Sequence, residues 1–477
     1  MRISTSVATT AVILGEASNA INLVKRTDGS PPRVVEHTIQ RRYISNPLDH
    51  DRKRWQRRKR DTLSVTLDNE ETLYFANVSI GTPAQDFRMH LDTGSSDLWV
   101  NVADSELCQS RGDPCSISGT YSANDSSTYT YLNSQFNISY VDGSGSSGDY
   151  VSDTMKIGDA SLENQQFGVG YTSSSQEGIL GIGYPINEVA VQYNGGRPYA
   201  NVPQSLVNTG TINSNAYSLW LNDLDASTGS ILFGGVNEDK YTGSLQTIPI
   251  VKEQGVYAEF IIALTAVGAN GTTGSIAKDQ AIPALLDSGS SLMYLPNDIT
   301  QSIYDAVGAS YDEQQGAAFV NCDLANTDST IDFTFSSPTI KVPLNELVIV
   351  AGVDRGQPVC ILGLGPAGSS TPVLGDTFLR SAYVVYDIAN NEISLAQTNF
   401  NSTSNNIMEI TNSTGVPDAT VVANAVTSVA VSSGGARIDS GTDGTITLDG
   451  RAAQPTPAPG WGMAAIGAAA GAALYAL

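Results

Sequence analysis

The chain has 477 residues, 41% of them apolar and 7% aromatic, with 45 glycines; this is enough for two or three domains and leans toward turn-rich β structure cored by Val, Ile and Leu. The formal charge of -23 is unevenly spread: 13 of the 25 Lys and Arg fall in residues 1–60 against 5 acids, leaving 12 basic and 43 acidic residues from 61 onward, a net of -31. An acidic body of that strength repels phosphate backbones and excludes nucleic acid as a partner.

The first segment, MRISTSVATTAVILGEASNA, has one N-terminal charge, a short apolar stretch and small residues Ser18 and Ala20, so residues 1–20 are expected to be a signal peptide despite Glu16. Residues 21–60 are polar and basic and end in RKRWQRRKR, with Lys59-Arg60 directly before Asp61. Behind a signal peptide this reads as a propeptide with a dibasic processing site, and the mature chain is expected to start at or near Asp61.

An apolar-alternating run then ends at Asp92 in DTGSSDLWV, 92–100. The pattern returns as LLDSGSSLMYL at 285–295, placing Asp287 at an offset of 195 from Asp92. GILGIG at 178–183 is likewise echoed by PVLGDT at 372–377, with Gly181 and Gly375 offset by 194. Two motifs repeated at nearly one offset indicate a duplicated lobe. Each acid follows a strand-like run and enters a Gly/Ser turn whose N–H groups and hydroxyls can hold a carboxylate in one orientation. Facing each other across a pseudo-two-fold axis, the two carboxyls would share one proton, giving one base and one acid around a single water.

Elimination leaves little else. Of three histidines, His37 and His50 fall in the expected propeptide, so His90 alone remains; it shares strand parity with Asp92 and reads as a packed residue. No histidine-rich metal site and no Ser-His-Asp triad away from His90 are available, and neither a Walker loop nor a dinucleotide fingerprint is present, so neither metal nor cofactor is expected. Three pairings of the four cysteines are open in principle. Cys108 with Cys115 and Cys322 with Cys360 are both local, one pair per lobe, and are the expected disulfides of a protein made in an oxidising compartment, which also removes a cysteine nucleophile. Glycan acceptor motifs stand at Asn77, Asn124, Asn137, Asn270, Asn401 and Asn412; Asn77 and Asn137 lie in strand-like runs, and the polar segment around 401 and 412 suits a glycan better.

Order is expected to stop near Phe400. Residues 401–450, rich in Ser, Thr and Asn, read as a linker or stalk. Small residues around Gly450, a spacer with Pro455, Pro457 and Pro459, and the weakly apolar tail GWGMAAIGAAAGAALYAL make 451–477 a glycosylphosphatidylinositol anchor signal, with Gly450 the expected attachment residue and Ser440 and Gly441 equally small.

The run YFANVSIGTPAQDFRMHLDTGSSDLWV, 74–100, resembles the first active-site region of pepsin-like aspartic proteases, and LLDSGSSLMYL resembles the second. The likeness continues through ISYVDGSGSSG at 138–148, GILGIG and PVLGDTFLRSAYVVYD at 372–387, and so covers roughly 61–400. The serine after Asp287, the basic front and the anchor-like tail are most similar to fungal yapsins and candidapepsins. The resemblance implies a mainly β, bilobal fold, with an N-terminal lobe at 61–249, a C-terminal lobe at 250–400 and a cleft between them. It implies Asp92 and Asp287 as the catalytic dyad, supported within their loops by Thr93, Gly94, Ser95, Ser288, Gly289 and Ser290. Thr93 and Ser288 would brace the paired loops, while Ser95 and Ser290 would bind the outer carboxylate oxygens. Tyr140 would be the tyrosine of a flap that closes over substrate, with Asp142 and Gly143 at its tip and Trp99 as its indole partner; Val141 departs from the family's usual glycine. An acid at 142 beside a basic side chain of the substrate motivates a preference for cleavage near Lys or Arg. The expected whole is a monomeric endopeptidase acting on proteins and peptides at acidic pH, held on membrane or wall by its anchor. An inactive binding protein of the same fold would not need both aspartates and Tyr140, and a displayed wall protein would not need the matched loops.

Overall fold

Alternation of apolar and polar residues places one face of a strand in the core, and the sequence leading to Asp92 obeys it. Glu70–Ile80 and Gln85–Asp92 form an antiparallel pair with Phe75 opposite His90 and Ile80 opposite Gln85. Tyr74, Ala76, Val78 and Ile80, with Met89 and Leu91, are buried in one core. The computed structural model describes residues 22–23, 32–45, 70–140, 144–193, 197–226, 228–411, 415–429 and 431.

The described chain is mainly β. A 14-stranded sheet runs from the hairpin of Thr130–Ser139 and Gly145–Ile157, through the strands that carry Asp92 and Trp99, to Ala216–Trp220, Ala382–Asp387, Glu392–Thr398 and Tyr241–Pro249. At that end Ala382–Asp387 and Glu392–Thr398 lie between Ala216–Trp220 and Tyr241–Pro249, with Tyr217 opposite Tyr386 and Ile248 opposite Ile393, so the two lobes share one sheet. The 249/250 division falls at the end of the strand Tyr241–Pro249. Beyond it, a five-stranded sheet carries Asp287 in the order Ile261–Leu264, Ile282–Leu286, Val373–Leu374, Met293–Leu295 and Leu364–Pro366, flanked by two four-stranded sheets. The disulfides are Cys108–Cys115 and Cys322–Cys360, with Cα atoms 5.2 and 5.3 Å apart, and no cysteine is left over.

Two segments carry structure that the sequence did not announce, the first without bearing on whether 21–60 is a propeptide. Inside 21–60, Val35–Ser45 is a strand in the middle of the large sheet, paired antiparallel with Thr228–Phe233 on one side and Glu70–Ile80 on the other. Val35, Ile39 and Arg41 are buried, His37 is half-buried, and Thr38 and Gln40 are exposed. The alternation is present, but basic residues stand at two of its inward positions. The dibasic site and Asp61 lie outside the described residues, as do residues 1–20.

Nor does order stop at Phe400. Asn406–Glu409 is a strand between Asn22–Leu23 and Gly235–Asn237, Ile407 and Ile410 are buried, and Thr420–Val421 pairs in parallel with Tyr241–Pro249. A few aliphatic side chains in a polar stretch are enough to cover an otherwise open sheet edge. Gly450 and the anchor segment lie outside the described residues. Of the six glycan acceptors, Asn77, Asn124, Asn137, Asn270 and Asn401 are all exposed, including the two in strands, because each side chain points away from the core; Asn412 lies outside the described residues.

Candidate active site

Asp92 ends the strand Gln85–Asp92, which pairs in parallel with Ile179–Gly181 so that Asp92 stands beside Gly181. Asp287 directly follows Ile282–Leu286, which pairs in parallel with Val373–Leu374, and its N–H donates to Leu374 O at 3.2 Å. The repeated glycines are required by close approach. A Cβ on Gly181 would lie 2.7 Å from Asp97 N, and one on Gly375 would lie 2.3 Å from Ser290 O. The echoed motifs therefore lock the turns behind both aspartates.

The two turns bind their carboxylates identically. Gly94 N–H donates to Asp92 Oδ1 at 2.8 Å and Ser95 Oγ to Asp92 Oδ2 at 2.5 Å. Gly289 N–H donates to Asp287 Oδ1 at 2.8 Å and Ser290 Oγ to Asp287 Oδ2 at 2.7 Å. Both acids are buried. Four bonds cross between the turns. Thr93 Oγ1 donates to Leu286 O and accepts from Ser288 N–H, each at 2.9 Å; Ser288 Oγ donates to Leu91 O at 2.9 Å and accepts from Thr93 N–H at 3.2 Å. All six loop residues singled out in the sequence are thus brought together, with charge-assisted bonds fixing each carboxylate's orientation.

Trp99, fully buried in the strand Leu98–Asn101, donates from Nε1 to Tyr140 Oη at 2.6 Å. That bond ties the end of the hairpin of Thr130–Ser139 and Gly145–Ile157 to the strand seven residues beyond Asp92. Tyr140 N–H donates to Ser144 O at 2.9 Å. Val141, Asp142 and Gly143 themselves lie outside the described residues. His90 is buried against Phe75, ring centroids 5.6 Å apart.

Two buried acids near this site were not singled out from the sequence. Asp97, within the first motif, is fully buried; its Oδ1 accepts from Tyr150 Oη at 2.7 Å and Tyr199 Oη at 3.2 Å, and its Oδ2 accepts from Val189 N–H at 2.8 Å. Glu188, also fully buried, accepts from Tyr199 N–H at 2.7 Å. The only signal in the sequence was an acid inside DTGSSDLWV at an inward position; nothing marked Glu188.

Two carboxyls held on mirrored Gly/Ser turns, with a tyrosine-bearing hairpin alongside, define a class, and the chain belongs to it: the model of the eukaryotic aspartyl protease family matches residues 73–398. The chain is an aspartic-type endopeptidase. It is 56% identical to a probable aspartic-type endopeptidase opsB of Aspergillus oryzae, over 88% of this chain and 87% of that one. A protein of the same name from Arthroderma benhamiae is 46% identical over 99% of this chain and 98% of its own. Candidapepsin-1 of Candida albicans is 41% identical over 73% of this chain and 86% of its own. Among solved structures, an aspartic proteinase from Irpex lacteus superposes with a TM-score of 0.59 at 22% identity, covering 78% of this chain and all of the other, which supports the fold.

Proposed function

We propose that Asp92 and Asp287 are the catalytic dyad of a secreted endopeptidase that hydrolyses proteins and peptides in acid and is held at the cell surface as a monomer. The observation that carries the dyad is the reciprocal bonding of Thr93 and Ser288, which brings the two carboxylate-bearing turns face to face. The reaction calls for one carboxyl protonated and the other ionised, which two facing carboxyls that share a proton supply. The ionised member takes a proton from a bound water, which attacks the peptide carbonyl carbon. The protonated member donates to the carbonyl oxygen, giving a neutral gem-diol. Collapse of that diol, with a proton passed to the leaving nitrogen, breaks the C–N bond and restores the shared proton; positioned proton transfer of this kind contributes about 10²–10⁴-fold. Ser95 and Ser290 hold the outer oxygens, and Tyr140 with Trp99 closes one side of the site.

The expected result is hydrolysis by the wild-type protein that disappears in both Asp92→Asn and Asp287→Asn; cleavage retained by either variant refutes the dyad. Secretion is supported by the pattern of residues 1–20 and by two disulfides. Anchoring is supported by the small residues, prolines and weakly apolar tail around and beyond Gly450; among the described residues no helix is long and apolar enough to cross a membrane. Activity released from washed cells by a phosphatidylinositol-specific phospholipase would support the tether, and activity found only in the medium would refute it. A yapsin-like preference for Lys or Arg is supported by Asp142, two residues beyond Tyr140, and by the acidic body. If Asp142→Ala leaves the ratio of basic to apolar peptide cleavage unchanged, that preference is wrong.

A further inference from the structure

Asp97 and Glu188 form a second carboxyl pair that the hydrolytic mechanism does not use. Both are fully buried, and one residue bridges them: Tyr199 gives its N–H to Glu188 Oε2 and its hydroxyl to Asp97 Oδ1. Their surroundings are unequal. Asp97 accepts from Val189 N–H and from the hydroxyls of Tyr150 and Tyr199. Glu188 accepts from Tyr199 N–H, and its Oε1 is buried with no partner. A carboxylate that accepts several donors is stabilised as the anion, whereas a buried oxygen with none favours the acid. Asp97 therefore carries the charge and Glu188 the proton.

The pair lies at the foot of the flap. Tyr150 belongs to the flap strand Gly145–Ile157, and its ring packs edge-on against both Tyr199 and Phe136, with centroids 5.9 and 5.3 Å apart. Phe136 in turn lies 6.3 Å from Trp99, whose indole holds Tyr140. Trp99, Phe136, Tyr150 and Val189 share one small core with Tyr140 and Tyr199 at its edge. Asp97 O also accepts from Gly181 N–H at 3.1 Å, so the pair joins the flap, the first active-site turn and the residues Glu188, Val189 and Tyr199.

We propose that Glu188 is a positioning residue for the flap: the Asp97–Glu188 pair must hold one proton to keep Trp99 and Tyr140 in place, and loss of that proton sets the upper pH limit of peptide hydrolysis. Burial first, and then the charge of Asp97, push the Glu188 carboxyl well above its ordinary range. The groups facing it are Asp97 and Tyr199, with Tyr150 behind them; among the described residues no cation acts on it, and Arg197, close in sequence, is exposed. Ionisation would place two like charges in one sealed site, and separating them moves the segment that carries Tyr199 away from Tyr150. A group bound more tightly by its proton in the folded state stabilises that state fully at low pH; the benefit is lost as pH rises from the unfolded value through the folded one. Across that interval the equilibrium shifts by at most tenfold per pH unit. The dyad turns are held by their own four bonds, so the loss appears as a rise in KM before a fall in kcat.

The inference rests on the dyad reading and is tested by kcat and KM against pH for the full-length protein and its Glu188→Gln variant, each normalised to its own acid plateau. The expected result is that the pH of half-maximal kcat/KM lies about one unit higher in the variant, with the wild-type fall carried by KM and reversed on returning to acid. An unshifted half-point, a wild-type fall carried by kcat at constant KM, or a loss not recovered in acid overturns it. Asp97→Asn, which removes the other charge, carries the same expected shift where Glu188→Gln does not fold, and the wild-type KM profile decides the matter with no variant at all. Hydrolysis persisting in Asp92→Asn would instead remove the dyad reading, so the two failures are distinguishable.

Discussion

Gly94 faces Asp287 across the pseudo-two-fold axis at such short range that a Cβ at position 94 would stand 2.5 Å from Asp287 Oδ1 and 2.7 Å from its Cγ. A glycine in the first turn thus sets how near the second carboxyl can come. Gly94→Ala must displace the Asp287 carboxylate, and a displacement of about 1 Å in a reacting group costs about 10²-fold in rate. The expected outcome is a fall of kcat by about that factor, with far-ultraviolet dichroism unchanged. A variant with half of the wild-type kcat would show that the turns do not meet as described.

The crossing bonds of Thr93 and Ser288 give a separate expectation for stability. Thr93→Val keeps the shape but leaves Leu286 O without its donor and Ser288 N–H without its acceptor, both buried. Each buried polar group left unmade costs about 1–3 kcal/mol. Urea unfolding in an Asp92→Asn background, which prevents self-digestion, should show that loss. Thr93→Val and Ser288→Ala should be non-additive by more than about 0.5 kcal/mol, because Thr93 and Ser288 share bonds. Strict additivity would refute the reciprocal arrangement.

The paired turns were legible because duplication wrote them twice: Asp92 and Asp287 each carry the same hydroxyl, glycine and serine, and the structure gives both turns the same bonds. The local cysteine pairs were legible for a similar reason, since short loops leave few alternatives. The strand Val35–Ser45 was hidden because His37 and Arg41 occupy inward positions where an apolar residue is the usual signal. The C-terminal segment was hidden because its packing depends on a few residues such as Ile407 and Ile410, whose partners come from remote strands. Glu188 was invisible for the most general reason: burial of an acid is decided by which distant residues surround it, and local pattern carries no trace of that.

A buried ion pair ties the C-terminal lobe to the common sheet. Arg380 Nε donates to Glu346 Oε2 at 2.6 Å and Arg380 Nη2 donates to Glu346 O at 2.6 Å, with both side chains essentially inaccessible. Glu346 Oε1 also accepts from Leu224 N–H at 3.1 Å, linking the turn after Ala216–Trp220. Removing one partner of a buried pair leaves an uncompensated charge, at a cost of about 3–5 kcal/mol. Glu346→Ala should therefore lower the urea midpoint strongly, whereas the double variant Glu346→Leu with Arg380→Met should recover much of the loss. A Glu346→Ala variant within 1 kcal/mol of wild type, by the same scale, would show the pair to be hydrated.

The strand Val35–Ser45 should loosen in acid, and His37 provides the handle. Its ring shares the inward face with Val35 and Ile39, its Nε2 is buried without a partner, and burial lowers its pKa below the ordinary histidine value. On the opposite face Glu36 is raised by burial, an effect that Lys240 opposes. A histidine with a lowered folded pKa favours the folded state fully above the unfolded value, near 6.5, and progressively less as pH falls through the folded value. The stability that full-length protein carrying Asp92→Asn holds relative to the same protein with His37→Phe should therefore fall between pH 7.5 and pH 5, whatever the raised carboxyls contribute to both. The measurement is the difference in urea midpoint between the two proteins at each pH. A difference that stays constant would mean that His37 accepts its proton in the folded strand as readily as in water, and the acid weakness of this segment would have to come from other groups.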